Sequence, residues 1–252
     1  MITDSNSDKC ESIIGEYGTI YLDDCNNYLY NYDNDQFDLA ITDPPWGIEY
    51  STTKIKKHHK RQLKYAKNKK FYDDNKNKIK PNIINNWFSE LYRISKCVCL
   101  YLSSENYLDV VKAINKPCHT IIYTFPNGHS PTSISRVCCF NPILIYKKPR
   151  KRLFSNVIHF TMNWGFLNDL KNLIHPHPKD VRIYETIINE TKSESVIDPF
   201  VGSGTLCHAC EKLKIKYTGF EIDSAYKNDI QYRLNLGIQQ RPLHYTNLKS
   251  IL

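Results

Sequence analysis

The sequence predicts an α/β fold, doubly wound around a mostly parallel sheet, and three observations carry that prediction. Short apolar runs alternate with segments of helical period along most of the chain. Some of those runs, CVCLYL (97–102) among them, are apolar at almost every position, as expected of a strand buried on both faces. Near the C-terminal end, VIDPFVGSGTLCHACEKLKIKYTGFEID reads as strand, glycine turn, helix, strand and acid, a complete β–loop–α–β unit.

The elements follow in order. GTIYL (18–22) reads as a short strand, a helix is expected around 26–31, and FDLAI (37–41) is the next strand. After a lysine-rich stretch, Ile84, Trp87, Phe88, Leu91 and Ile94 recur at helical spacing, with Pro81 near the helix start, where its missing N–H costs nothing. CVCLYL is a strand, 104–115 a helix, and TIIYTF (120–125) and PILIY (142–146) are strands. Residues 147–174 carry no clear period and stay unassigned. A helix over 179–191, the strand SVIDPF (195–200), a helix over 205–214, the strand YTGFEI (217–222) and a helix over 224–237 complete the series. No internal repeat or interdomain linker breaks it, so 1–252 is expected to be one domain. It carries a basic insertion at 51–80 and a small candidate target-recognition region at 147–174.

Composition narrows the class. With 252 residues the chain can bury a full core, and 12% aromatic residues, 18 tyrosines included, speak against disorder. The first ten residues have no basic or apolar signal regions, and no apolar run approaches a membrane span. The expectation is a soluble protein of the cytoplasm or nucleus. Nine cysteines are many, but several lie inside apolar runs, where a free thiol behaves as a small hydrophobe. Cys207 and Cys210 have zinc-like spacing without a second pair, so reduced core cysteines are expected and no metal.

Charge is unevenly placed. Residues 51–80 hold 12 of the 34 Lys and Arg and 2 of the 26 Asp and Glu, a charge of +10, which leaves −2 for the rest of the chain. A solvated charge run or, for KKHHKR, a nuclear-import signal is one account. Interleaved aromatics (Tyr65, Phe71, Tyr72) favour contact with a phosphate backbone instead, through Lys56, Lys57, Lys60, Arg61, Lys64, Lys67, Lys69 and Lys70.

Two loops concentrate the chemistry. In AITDPPWGIEY (40–50) an apolar run ends in an acid, two prolines and a tryptophan. A strand-ending turn explains that stretch alone; so does a rigid loop that presents a carboxylate, a carbonyl and a ring. In the second loop, Gly202 and Gly204 let the backbone approach a ligand, and Glu221 stands where an acid binds ribose hydroxyls. Cys207 replaces the third glycine of the dinucleotide pattern, which argues for a nucleoside cofactor without a pyrophosphate.

TDPPWGI ahead of DPFVGSGT, with HPHPKD (175–180) between them, resembles the amino-methyltransferases that act on adenine N6 or cytosine N4 of DNA, in the permuted order with the catalytic motif first. The likeness runs from about Ile20 to Leu236 and includes YLDDC (21–25), NWFSELYRISK and YTGFEIDSAYKNDIQYRL. It implies a Rossmann-like S-adenosylmethionine (SAM)-dependent fold, mostly parallel with one antiparallel strand. If SVID is the first strand of that sheet, FDLAI is its neighbour across the topological switch point, and both loops face one crevice.

The resemblance also implies roles. The catalytic stretch is Asp43, Pro44, Pro45 and Trp46: the Asp43 carboxylate and Pro44 carbonyl accept the target amine's hydrogens, and Trp46 stacks on the extruded base. SAM is expected among Asp24, Lys179, Asp198, Phe200, Gly202, Ser203, Gly204, Thr205 and Glu221, with Asp180 standing where the family usually has Pro. An acid at the first tetrad position leans towards adenine N6 in DNA. Cytosine N4, adenine in RNA, and a non-catalytic nucleic-acid-binding scaffold are the alternatives.

Overall fold

The computed structural model describes residues 10–45, 81–104, 106–114, 116–124, 140–147, 149, 155–160, 173–175 and 177–240, with the backbone alone over 81–85. Nine strands form one sheet: β1 (Ser12–Ile14), β2 (Gly18–Tyr21), β3 (Leu39–Thr42), β4 (Val98–Tyr101), β5 (His119–Thr124), β6 (Phe140–Tyr146), β7 (Val157–His159), β8 (Ser195–Asp198) and β9 (Lys216–Phe220). Their spatial order is β1-β2-β9-β8-β3-β4-β6-β5-β7. Among the described residues, five α-helices accompany them: α1 (Pro81–Ile94), α2 (Tyr107–Ile114), α3 (Val181–Thr191), α4 (Thr205–Leu213) and α5 (Lys227–Gln239).

Strand alternation builds two cores from one sheet. Along β3 and β4, Ile41, Cys99 and Tyr101 point to one face, where they join Ile183, Ile187, Leu206, Ile230 and Leu234 of α3, α4 and α5. Ala40, Val98 and Leu100 point to the other, where Trp87, Phe88, Leu91 and Val110 of α1 and α2 cover them. All four residues of each strand are therefore buried, and this is why those stretches read as continuous apolar runs. Cys97 and Cys99 share one face as expected, and Cys25, Cys207 and Cys210 are also buried free thiols. Cys138 and Cys139 lie outside the described residues. No helix among the described residues is long and apolar enough to cross a membrane.

The central strands β2, β9, β8, β3 and β4 are parallel to one another. β6 runs against β4 and β5, the antiparallel strand expected, and the edge hairpin partner β1 adds a second. Asp38, the acid inside the FDLAI run, pins the start of β3. It accepts from Lys96 Nζ (2.8 Å) and from the Glu194 backbone N–H (3.0 Å), one on each side of the strand. The helix expected at 26–31 is instead two 3-10 turns, Cys25–Asn27 and Leu29–Asn31. Its backbone meets local side chains first: Asp24 Oδ1 accepts from Asn26 N–H, and Asp23 accepts from the Asp24 N–H and the Tyr28 hydroxyl. Two three-residue strands, β1 and β7, have no counterpart in the sequence reading, and β7 lies within the unassigned 147–174.

From β8 the chain crosses through α4 to β9 on one side, while β3 crosses through α1 to β4 on the other. The switch point thus falls between β8 and β3, which pair Leu39 with Val196 and Ala40 with Ile197. A crevice at the carboxyl ends of these two strands is where this topology places a ligand.

Candidate active site

The loop after β8 supplies one wall of the crevice. Gly202 (φ +56°) and Gly204 (φ +91°) both occupy the left-handed region, and Thr205 opens α4 directly behind them. A Cβ on Gly202 would lie 2.8 Å from His175 Nε2, and one on Gly204 would lie 2.9 Å from the Ile230 backbone. Glycine is therefore required at both turn positions by the fold itself. Ser203 is buried between them, and Phe200 sets its ring edge-on against Trp87 of α1 at 5.2 Å.

Glu221, at the end of β9, closes that loop. Its Oε2 accepts the Gly202 N–H at 2.7 Å and its Oε1 the Asp223 N–H at 2.9 Å. The carboxyl is 7% exposed, and burial pushes its pKa up to about 7. Nearby, the rings of Tyr21, Tyr28 and Phe220 stack with centroids 5.3–5.8 Å apart. Asp24 begins the 3-10 turn beside them.

The second wall is the end of β3. Thr42 is fully buried, and its hydroxyl donates to Asp198 Oδ1 at 2.5 Å. Asp198 also accepts the Phe200 N–H at 2.9 Å and faces the Tyr184 hydroxyl at 3.4 Å. At 1% exposure, the carboxylate ties the two walls together. Burial drives its pKa up to about 7, with Asp43 and Glu221 adding like charge.

Two buried carboxyls with raised pKa values make stability pH-dependent. Each binds its proton more tightly folded than unfolded, so its stabilising effect is complete below the ordinary carboxylate range and lost as pH rises through about 7. The cofactor-free protein is expected to lose several degrees of Tm between about pH 5.5 and about pH 8.5. Asp198→Asn should flatten that slope, read by scanning fluorimetry at matched ionic strength.

Asp43 follows Thr42, and Lys179 Nζ lies 2.6 Å from its Oδ2. Lys179, expected beside the cofactor, thus places its ammonium on the acid of the Asp-Pro-Pro stretch. This pairing was invisible in sequence, as were its supports. Arg233 of α5, 3% exposed, donates to the Lys179 carbonyl and to Thr205 Oγ1, both at 2.9 Å. The segment before Lys179 hangs from Asp229 of α5, whose oxygens accept the Ile174 and His175 N–H groups at 3.1 and 2.8 Å. Asp180 caps α3 and holds Arg182, which stacks on Phe160.

Asp43 is thereby brought next to the Asp198–Thr205 loop and Lys179, with Pro44 and Pro45 following it in the chain, and Glu221 joins the same loop through the Gly202 N–H. Trp46 lies outside the described residues. So do the basic residues Lys56, Lys57, Lys60, Arg61, Lys64, Lys67, Lys69 and Lys70.

Residues 50–232 match the DNA methylase family of N6/N4 methyltransferases. The chain is 22% identical over 240 residues to the Type II methyltransferase M.HpaI of Haemophilus parainfluenzae, covering 82% of this chain and 71% of that protein. Among solved structures, the M1.HpyAVI–SAM complex aligns with a TM-score of 0.52 at 20% identity, over 86% of this chain and 98% of that one. The PvuII DNA methyltransferase, cytosine-N4-specific, aligns with a TM-score of 0.59 at 16% identity, over 87% and 86%. At these identities the structures share the fold.

Proposed function

Because this chain belongs to the DNA methylase family of N6/N4 methyltransferases, we propose that it transfers a methyl group from S-adenosylmethionine to the exocyclic N6 amine of adenine in DNA. The observation that carries the reading is the junction at the switch point. Asp43 stands at the carboxyl end of β3, bonded through Thr42 and Asp198 to the glycine loop after β8.

The residues of that loop fit the cofactor. Two left-handed glycines form the tight turn that brings the loop backbone to the crevice, and Glu221 is a buried carboxylate whose backbone partners leave acceptor capacity for ribose hydroxyls. When bound, SAM supplies an electrophilic methyl group on a sulfonium. Everything else falls to the protein.

An exocyclic base amine is a poor nucleophile because its lone pair is delocalised into the ring. The Asp43 carboxylate and the Pro44 carbonyl accept its hydrogens, favour a pyramidal nitrogen and expose the lone pair. Pro44 and Pro45 stiffen the loop, so both acceptors are oriented before the base arrives. Trp46 stacks on the base, which must leave a duplex to reach the crevice. The basic stretch 51–80 contacts phosphates, so DNA affinity falls steeply with salt. Deleting 54–70 is expected to weaken binding and reduce the slope of log K against log salt, measured by fluorescence anisotropy.

The base is argued from Asp43, an acid at the first tetrad position. A second reading, cytosine N4, is favoured by the fold shared with the cytosine-N4-specific PvuII enzyme. Incubation with labelled SAM and mixed DNA and RNA, followed by nucleoside mass analysis, separates them. N6-methyldeoxyadenosine is expected; 4-methylcytosine alone, or methylation of RNA alone, overturns the reading. Absence of SAM binding at millimolar cofactor would instead favour a non-catalytic scaffold.

A further inference from the structure

We propose that Lys179 is the positioning residue for Asp43, acting through its ammonium on the acid and not on the cofactor. This rests on the function proposed above.

Three observations converge on it. The ammonium lies 2.6 Å from Asp43 Oδ2, with both side chains about four-fifths covered (21% and 23% exposed). It also lies over the Tyr101 ring, 4.9 Å from the centroid, and that ring is itself held by the hydrogen bond from Asn141 Nδ2 to the Tyr101 hydroxyl at 2.7 Å. An ammonium held by both an aromatic face and a carboxylate has little freedom to turn elsewhere. The Lys179 backbone is fixed too: its carbonyl accepts from Arg233, and the next residue, Asp180, caps α3 by accepting the Arg182 N–H at 3.0 Å.

The consequence for the reaction is directional. A carboxylate at the end of a strand can rotate about its last single bond, and an acceptor is useful only when its lone pairs point at the amine hydrogen. Holding Oδ2 sets the plane of the group. Arg233 joins this clamp to the cofactor loop, since the same guanidinium donates to Thr205 Oγ1 at 2.9 Å. The acid and the loop across the crevice are therefore registered through one buried arginine and one lysine.

The test is a cycle of Lys179→Met, Lys179→Arg, Asp43→Asn and the double variant Lys179→Met/Asp43→Asn in the full chain. Single-turnover methylation and SAM affinity by calorimetry are measured for each, with Tm confirming the fold. Lys179→Met is expected to slow transfer about 30- to 100-fold while SAM affinity stays within about threefold. Lys179→Arg should recover part of the rate, because a cation returns to the carboxylate, though as a bulkier planar group. In the Asp43→Asn background the methionine substitution should cost under about twofold, the non-additivity of residues that act as one unit.

A loss of SAM affinity of about tenfold or more in Lys179→Met would assign the lysine to the cofactor and overturn the inference. So would full additivity with Asp43→Asn, or an unaltered rate. If Asp43→Asn itself transfers methyl at the wild-type rate, the proposed function fails and the inference fails with it.

Discussion

Asp43→Asn is expected to slow methyl transfer by about 10²- to 10³-fold, the range for loss of one preorganised polar partner of a reacting group. Asparagine is nearly the same shape, keeps an oxygen that can face Lys179, and removes only the negative charge that favours the pyramidal amine. SAM affinity and Tm should therefore change little, because Asp43 follows β3 whereas the glycine loop follows β8 and Glu221 follows β9. A drop confined to the transfer step identifies an interaction made in the transition state. Rapid-quench single turnovers with labelled cofactor give that step directly. Equal losses of transfer rate and SAM affinity would move Asp43 from the chemistry to cofactor binding.

Gly202→Val is expected to weaken SAM binding by at least about 100-fold. A β-branched residue at φ +56° is strained by about 1–2 kcal/mol or more. The added carbon also meets His175 Nε2 at 2.8 Å. His175 cannot step aside at low cost, since its N–H is held by Asp229 and its ring packs on Tyr226 with centroids 4.6 Å apart. The loop must therefore move, and with it the Gly202 N–H that Glu221 accepts. Calorimetry with SAM checks the affinity, and circular dichroism checks that the sheet survives. Retention of wild-type affinity would remove this loop from the cofactor site.

The central strands and the long helices could be read from the sequence because β3, β4 and β8 are buried on both faces and α1 carries its apolar residues at helical spacing. The short edge strands could not. β1 and β7 are three residues each, half exposed, and owe their pairing to a neighbour instead of to any period of their own. The stretch 25–31 forms 3-10 turns in place of the expected helix because Asp23 and Asp24 draw the backbone into local hydrogen bonds that a count of apolar positions does not register.

The same division holds at the crevice. That the Asp-Pro-Pro stretch and the glycine loop should meet follows from the strand adjacency that the resemblance implied. Which side chains join them does not. Thr42 on Asp198, Lys179 on Asp43 and Arg233 on Thr205 are contacts between residues separated by 28 to 156 positions. A threonine at a strand end and an arginine in a helix look ordinary in a single sequence. Arg233 carried one available signal, a cation where α5 meets the core, and its meaning appears only with α4 packed against it.

The strand order has a consequence for synthesis on the ribosome. β2 and β3 are consecutive in the chain, yet β9 and β8 stand between them in the sheet. A nascent chain that has passed β7 thus holds a slot two strands wide, flanked by unpaired edges. Only the stretch from Ser195 to Phe220 fills it, and that stretch carries the glycine loop within it. Closure of the sheet and formation of the glycine loop are then one event, among the last of folding. Any pause before it leaves two exposed strand edges for a chaperone or another chain to find.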